Sequence, residues 1–234
     1  MLPVAILAGG LATRMHPITE RIPKAVIDVA GKPFIHRQLE YLRGQGIRRV
    51  VLCTGHQADQ IEAVVGNGGA FGLSVSHCPD GPVLLGTGGA LRQALSALGP
   101  SFFVLYGDAF LPCNFHDVEE AFVQSKQPAL MTVFRNSNQW DRSNVIFRDG
   151  RIVEYNKRAP RREMEYIDYG LGVVSADALS GYPSGQTFDL ADMYHALAVD
   201  GKLAGYEVHE RFYEIGSFEG LQEAERYFAK KETA

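Results

Sequence analysis

Two glycines, a threonine, an arginine and a lysine crowd the start of the chain. Gly9 and Gly10 follow a short apolar run, residues 4–7, and precede Thr13 and Arg14; Pro17, Pro23 and Lys24 close the segment. The apolar run reads as a buried strand. Paired glycines let the backbone turn tightly and approach a ligand with no Cβ in the way. Main-chain N–H groups in such a loop cradle phosphate oxygens. A guanidinium pairs with those oxygens bidentately, and an ammonium adds a point charge. The set suits a polyphosphate, although a Gly-Gly pair after a strand also serves as a plain turn. The Walker loop is excluded, because Gly-Lys-Ser/Thr is absent. So is the dinucleotide fingerprint, because residues 9–14 read Gly-Gly-Leu-Ala-Thr-Arg rather than Gly-x-Gly-x-x-Gly.

Two further groups have the types for ligand chemistry. Gly86-Thr87-Gly88-Gly89 opens a helical pattern that runs through Leu91, Leu95 and Leu98. It reads as a second ligand loop or as a flexible helix entry. Gly107-Asp108 follows the apolar run 101–106. A carboxylate at the carboxyl end of a strand faces the crevice where α/β sheets bind ligands. The same aspartate would also cap a simple turn.

These residues need a frame. Residues 24–30 read as extended, and Pro33 suits the start of a helix carrying Phe34, Ile35, Leu39 and Leu42. Strands are expected at 49–54, 73–77 and 101–106. Helices are expected around Ile61 to Val65, from Gly86 onward, and over 114–125 with Asn114 as cap. Strands alternating with helices predict a parallel α/β sheet. After residue 128 the pattern changes. Strands at 129–135, 143–147, 151–155 and 166–174, with an Asp149-Gly150 hairpin turn, predict a more antiparallel second half. Helices at 189–199 and 217–230 flank a strand at 205–209.

The whole is expected to be one domain over residues 1–234, and its 46% hydrophobic residues can fill a core. A net charge of −4 argues against a nucleic-acid partner, which favours a basic face. No apolar run approaches membrane-spanning length, and the start lacks the basic region of a signal peptide. Cys53, Cys78 and Cys113 are odd in number and scattered, as free thiols in a reducing cytoplasm would be.

Residues 7–24, Leu-Ala-Gly-Gly-Leu-Ala-Thr-Arg-Met-His-Pro-Ile-Thr-Glu-Arg-Ile-Pro-Lys, resemble the signature of the sugar-1-phosphate nucleotidylyltransferases. The departure there is Ala12, where the third glycine usually sits. The resemblance continues along nearly the whole chain and implies a Rossmann-like, mostly parallel mixed sheet flanked by helices, with a smaller antiparallel sugar-binding lobe. This arrangement is glycosyltransferase-A-like. It implies that residues 1–128 hold the nucleotide and 129–234 the sugar phosphate. Leu7, Ala8, Gly9, Gly10 and Thr13, with Gly86, Thr87 and Gly88, would bind the nucleotide. Arg14, Lys24 and Asp108 would be catalytic. Asp108 would hold Mg²⁺ together with Glu214, which stands where the family has aspartate. Lys157, Asp168 and Gly170 would bind the sugar phosphate, with Asp168 in place of an asparagine. The glutamate that the family places about four residues before Gly86 is Pro82 here.

The expected partners are therefore an NTP and a sugar 1-phosphate, with Mg²⁺ as cofactor, no nucleic acid and no membrane; a homo-oligomer stays open. Length and the Leu85-Gly86-Thr87-Gly88-Gly89 segment look most like the short D-glycero-D-manno-heptose 1-phosphate guanylyltransferases. Uridylyl-, thymidylyl- and cytidylyltransferases remain alternatives, as does a nucleotide-sugar-binding module without turnover.

Overall fold

The apolar strands meet in one nine-stranded sheet in a computed structural model that describes residues 1–232. Residues 233 and 234 of the domain expected over 1–234 lie outside the described residues. The chain begins with β1 (Val4–Ala8), a small hairpin β2 (Asp28–Val29) and β3 (Lys32–Pro33), and α1 (Phe34–Gly44). There follow β4 (Arg49–Thr54), α2 (Ala58–Val65), β5 (Ser74–Pro79), α3 (Gly86–Leu98) and β6 (Ser101–Tyr106). Next come β7 (Ala109–Phe110), α4 (Phe115–Ser125), β8 (Ala129–Arg135), β9 (Val145–Arg148), β10 (Arg151–Tyr155) and β11 (Tyr166–Ser175). The last elements are α5 (Ala176–Ser180), α6 (Leu190–Val199), β12 (Leu203–Val208), β13 (Tyr213–Glu214) and α7 (Phe218–Glu232).

The sheet order is β5-β4-β1-β6-β11-β8-β12-β10-β9. The first four strands are parallel. β11 then runs antiparallel to both β6 and β8, so the antiparallel portion expected in the second half continues the parallel portion in one sheet. The strand order reverses at β1 and β6, which is where open α/β sheets place their ligands.

Side-chain alternation divides the core between two faces. Val4 and Ile6 of β1 pack with Ile35 and Leu39 of α1, Ile61 of α2 and Phe115 of α4. Ala5 and Leu7 of the same strand pack with Leu91 and Ala94 of α3 and Met193 of α6. A third cluster joins Met15, Phe34, Phe110, Ile215 and Phe228, and fastens α7 beside α1. Among the described residues no helix is long and apolar enough to cross a membrane.

The segment 24–30 is not one extended run. The Val26 and Ile27 amides bond back to the Pro23 and Lys24 carbonyls, making a short 3-10 turn at Lys24–Val26. The turn buries Ala25 and Ile27, and only Asp28–Val29 pairs as a strand. The expected cap forms, with the Asn114 side chain accepting from His116 N; Asp189, expected within its helix, instead caps it and accepts from Ala191 N.

The start of α3 is held by the segment before α6. Gly88 N–H and Gly89 N–H both donate to the Phe188 carbonyl, at 3.0 and 3.4 Å. A Cβ on Gly88 would lie 2.2 Å from the Phe188 ring, which is itself stacked on Tyr182 at 4.1 Å. Gly88→Ala is therefore expected to destabilise the fold by about 1–3 kcal/mol, as overpacking does. Thermal unfolding of Gly88→Ala alone and combined with Phe188→Leu checks this; the second change should recover part of the loss.

Candidate active site

The carboxyl ends of β1, β4, β5 and β6 surround a cavity of about 240 Å³. Leu7 to Gly10 leave β1, Cys53 lies near the end of β4, Asp80 follows β5, and Tyr106 to Asp108 close β6; all line it, with Lys24, Gly86 and Thr87. Close backbone packing builds this end of the sheet. A Cβ on Gly9 would sit 3.1 Å from Gly55 N, and one on Gly107 would sit 3.0 Å from both Ala8 Cβ and Leu7 O. Gly10 is the open one of the pair: nothing lies within 4 Å of its Cβ position.

Ala12 explains why a glycine usually stands there. Its φ of 50° and ψ of 39° are left-handed, a region that suits glycine far better than alanine. The conformation is held by its carbonyl, which accepts from Thr19 Oγ1 at 2.8 Å and from Met15 N at 3.0 Å.

A second cavity, of about 650 Å³, adjoins the first and shares Tyr106 and Asp108 with it. Arg14, Lys157, Asp168, Gly170 and Glu214 line it. The strand β11 departs from regular register between Asp168 and Gly172, with Gly170 at a φ of 97°. Bulges of this kind redirect side chains. Asp168 Oδ1 accepts from Gly170 N at 3.0 Å. Burial pushes the Asp168 carboxyl up from its usual range, while the Gly170 N–H, the Lys157 charge and the Tyr155 hydroxyl pull it back.

The junction of the two cavities is where opposite charges and like charges meet. Lys24 Nζ donates to Asp108 Oδ2 at 2.8 Å. The short pair of β7 and β13 sets Glu214 opposite Ala109, and Ile215 N–H donates to the Asp108 carbonyl at 2.9 Å. A methyl group on Gly216 would lie 3.3 Å from Arg14 Nη2, 3.4 Å from Glu214 Oε2 and 3.6 Å from Asp108 Oδ2. Three charged groups from three distant segments thus converge on one glycine. Burial raises the Glu214 carboxyl above its usual range, the Asp108 charge raises it further, and the Arg14 charge lowers it. Two carboxylates held close against their mutual repulsion suit a hard divalent cation, and Mg²⁺ takes one or two carboxylates with phosphate oxygens completing the shell.

Two residues expected at the nucleotide lie outside both cavity linings. Thr13 is exposed in the turn Thr13–Met15, and Gly88 is buried under Phe188. The Thr87 hydroxyl, though on the cavity wall, is engaged: it donates to Asp189 Oδ1 and accepts from Leu190 N, both at 2.8 Å. Other lining groups carried no signal in the sequence. Trp140 and Arg211 are stacked, with the guanidinium 3.5 Å from the ring centroid, and Arg211 is also paired with Glu223. All three line the second cavity. Their encounter joins the segment after β8, the segment after β12 and α7, which no local pattern announces. Asp80, on the first cavity, is a fourth such group. Leu85 N–H donates to its Oδ2 at 3.0 Å, and its Oδ1 is buried without a hydrogen-bond partner among the described residues.

A family model described as nucleotidyl transferase matches residues 4–144. The chain is similar to a UTP–glucose-1-phosphate uridylyltransferase of Synechocystis, 26% identical over an alignment of 226 positions that covers 88% of this chain and 58% of that protein. It is also similar to a D-glycero-alpha-D-manno-heptose 1-phosphate guanylyltransferase of Aneurinibacillus thermoaerophilus, 29% identical over 68% of each chain. The crystal structure of HddC from Yersinia pseudotuberculosis, complexed with GMP-PN, superposes with a TM-score of 0.82 at 26% identity, covering 97% of this chain and 100% of that one. The chain spans about half the length of several curated relatives it matches, 58%, 48% and 47% of three of them.

The convergence on Gly216 has a direct consequence. Gly216→Ala is expected to shift the Arg14 guanidinium by a few tenths of an ångström and to lay a methyl group against both carboxylates, narrowing the space between them and lowering turnover on the order of 10–100-fold while the fold persists. Steady-state kinetics beside circular dichroism checks it.

Proposed function

The chain belongs to the nucleotidyl transferase family, and we propose that it transfers a nucleotidyl group from an NTP to a sugar 1-phosphate, releasing pyrophosphate. The observation that carries this reading is the pair of cavities that meet at Asp108, one bounded by glycine loops and the other by Lys157, Asp168 and Glu214. The NTP would occupy the first and the sugar phosphate the second, so that the two reacting phosphates face each other at the junction.

An oxygen of the sugar phosphate attacks the α-phosphorus in line. The bond from that phosphorus to the bridging oxygen breaks, and pyrophosphate leaves. The nucleophile is already an anion, so no general base is needed. Alignment and charge neutralisation supply the catalysis. Arg14 would hold the β- and γ-phosphates. Lys24 has three donors, so it can keep Asp108 Oδ2 and still reach the α-phosphate. Lys157, exposed on the rim, would hold the sugar phosphate, and Asp168 would accept hydrogen bonds from sugar hydroxyls. Asp108 and Glu214 would hold Mg²⁺, which when bound neutralises phosphate charge and fixes the geometry of the displacement.

For the base we favour guanine. Asp80 is a carboxylate on a mainly apolar wall, with one oxygen left without a donor. Burial raises its carboxyl and only the Leu85 N–H opposes that. A guanine edge brings two adjacent N–H donors. Uracil, thymine, cytosine and adenine bring one, flanked by acceptors that a carboxylate repels. Sites built to satisfy a polar group discriminate strongly against ligands that leave it unpaired. The Aneurinibacillus guanylyltransferase and the GMP-PN complex of HddC point the same way. A heptose 1-phosphate as acceptor rests on the same relatives.

Pyrophosphate release with GTP, ATP, UTP, CTP and dTTP against several sugar 1-phosphates tests the reading. GTP should dominate, and Asp80→Asn should cut its advantage about tenfold or more, the loss expected for one charged hydrogen bond. No turnover with any pair would leave only a binding module.

The carboxylates at the junction make a separate prediction. Asp108→Asn should abolish metal-dependent turnover with the fold intact. Glu214→Gln should weaken metal affinity and turnover together. Glu214→Asp, with a shorter reach, should also lose activity, because Mg²⁺ demands close octahedral geometry. Metal titration of the three variants against wild type is the check; Glu214 variants that behave as wild type would remove it from the site.

A further inference from the structure

The side chain of Gln38 stands out on α1. Its neighbours Ile35, Leu39 and Leu42 are apolar and buried in the core, and Gln38 is equally buried at 1% exposure. Its Nε2 donates to the Tyr106 carbonyl at 2.9 Å and to the Ala109 carbonyl at 2.6 Å. Those carbonyls bracket Gly107-Asp108. Its Oε1 is buried and has no hydrogen-bond partner among the described residues. An apolar residue would fill this place without leaving a buried acceptor unpaired, which is costly. The amide is thus spent entirely on the two ends of one dipeptide.

The rest of that dipeptide is held in the same way. Gly107 N–H donates to the Leu7 carbonyl and Ile215 N–H to the Asp108 carbonyl, both at 2.9 Å. Gly107 has no Cβ to resist rotation of its peptides. Without Gln38, the carbonyls of 106 and 109 lose their shared anchor, and the peptides between them gain freedom to turn. The direction of the Asp108 carboxylate turns with them.

We propose that Gln38 is a positioning residue: it clamps the Tyr106 and Ala109 carbonyls and thereby fixes the aim of the Asp108 carboxylate at a divalent cation. The proposal rests on the metal-dependent reading of Asp108 given above. Residues that orient a metal ligand are commonly worth 10–100-fold in affinity.

Gln38→Met keeps the volume and removes both donors. Mn²⁺, whose coordination resembles that of Mg²⁺, is titrated by electron paramagnetic resonance into wild type, Gln38→Met and Asp108→Asn, each saturated with a non-reacting GTP analogue. The thermal transition, analogue affinity without metal, and kcat against KM are measured alongside. We expect Mn²⁺ affinity of Gln38→Met to fall about tenfold, kcat to fall with it, and analogue affinity to stay within about twofold. Excess metal should restore part of kcat. A fall in kcat with unchanged Mn²⁺ affinity, or no change in either, overturns the proposal. If wild type and Asp108→Asn hold Mn²⁺ equally, the reading of Asp108 fails instead, and the two failures are distinct. Should Gln38→Met not fold, the Gln38 side-chain amide resonance of wild type provides the measurement. It should be protected from exchange and should shift as diamagnetic Mg²⁺ is titrated into the metal-free protein. An amide that is unshifted or that exchanges rapidly overturns the proposal.

Discussion

Everything at the junction depends on holding Asp108 and Glu214 near each other although both are carboxylates. Like charges at short range in a half-buried site oppose folding; the Glu214 carboxyl is raised first by its burial and then by the Asp108 charge. Lys24 and Arg14 offset it from the first segment of the chain. The backbone supplies the rest: two residues of β13 pair with two of β7, and the Ile215 amide closes on the Asp108 carbonyl. A pair so short cannot stand alone. The third core cluster secures it, burying Phe110 from one strand's end and Ile215 from the other's beside Phe228 of α7. The closing helix thus contributes to the site without lending a reacting group, by fixing where Glu214 can be.

Space at this end of the sheet is set by missing side chains. Gly9 meets Gly55, Gly107 meets the end of β1, and Gly216 lies under three charged groups. Gly9 and Gly107 let one loop approach another more closely than a Cβ readily allows, so the carboxyl ends of four strands share one cavity, and Gly216 leaves open the space between the charged groups. The second glycine loop shows that glycine is not by itself a mark of ligand contact. Gly86, Gly88 and Gly89 would all collide with residues 186–188 if they carried a Cβ. Their first office is to let α3 dock against the approach to α6, and the cavity wall at Thr87 follows from that docking.

This separates what could be read in the sequence from what could not. Strands such as 49–54, 101–106 and 129–135 were legible because apolar runs of that length have few other uses, and Asn114 and Asp149-Gly150 were legible because caps and tight turns are local chemistry. Arg14 and Lys24 were legible through the motif over residues 7–24, Asp108 through its place at a strand's carboxyl end and Glu214 through the family resemblance, and the structure brings the four side chains together. Gln38, Asp80, Trp140 and Arg211 were not. Each lies in a helix or loop whose own pattern is ordinary; Gln38, Trp140 and Arg211 matter through partners far away in the chain, and Asp80 through the cavity it lines. The short pair β7–β13 was invisible for the same reason: two residues have no periodicity, and only their pairing gives them meaning.

Ala12 carries the same point to the level of backbone strain. A left-handed alanine costs roughly 1–2 kcal/mol relative to its ordinary conformations, and nothing in residues 9–14 requires that conformation. What imposes it comes from outside the loop. The Thr19 hydroxyl, almost fully buried, grips the Ala12 carbonyl, and the Met15 side chain anchors the following turn in the third core cluster. Arg14 stands between these two fixed points, with its backbone held and its exposed side chain reaching the junction beside Gly216. A glycine at 12 would relax the strain and also widen the choice of loop conformations in the unfolded chain. Alanine instead narrows that choice, so the tertiary grip has fewer alternatives to exclude. The placement of the arginine thus depends on Thr19 and on the core beneath Met15 as much as on the glycines that precede it.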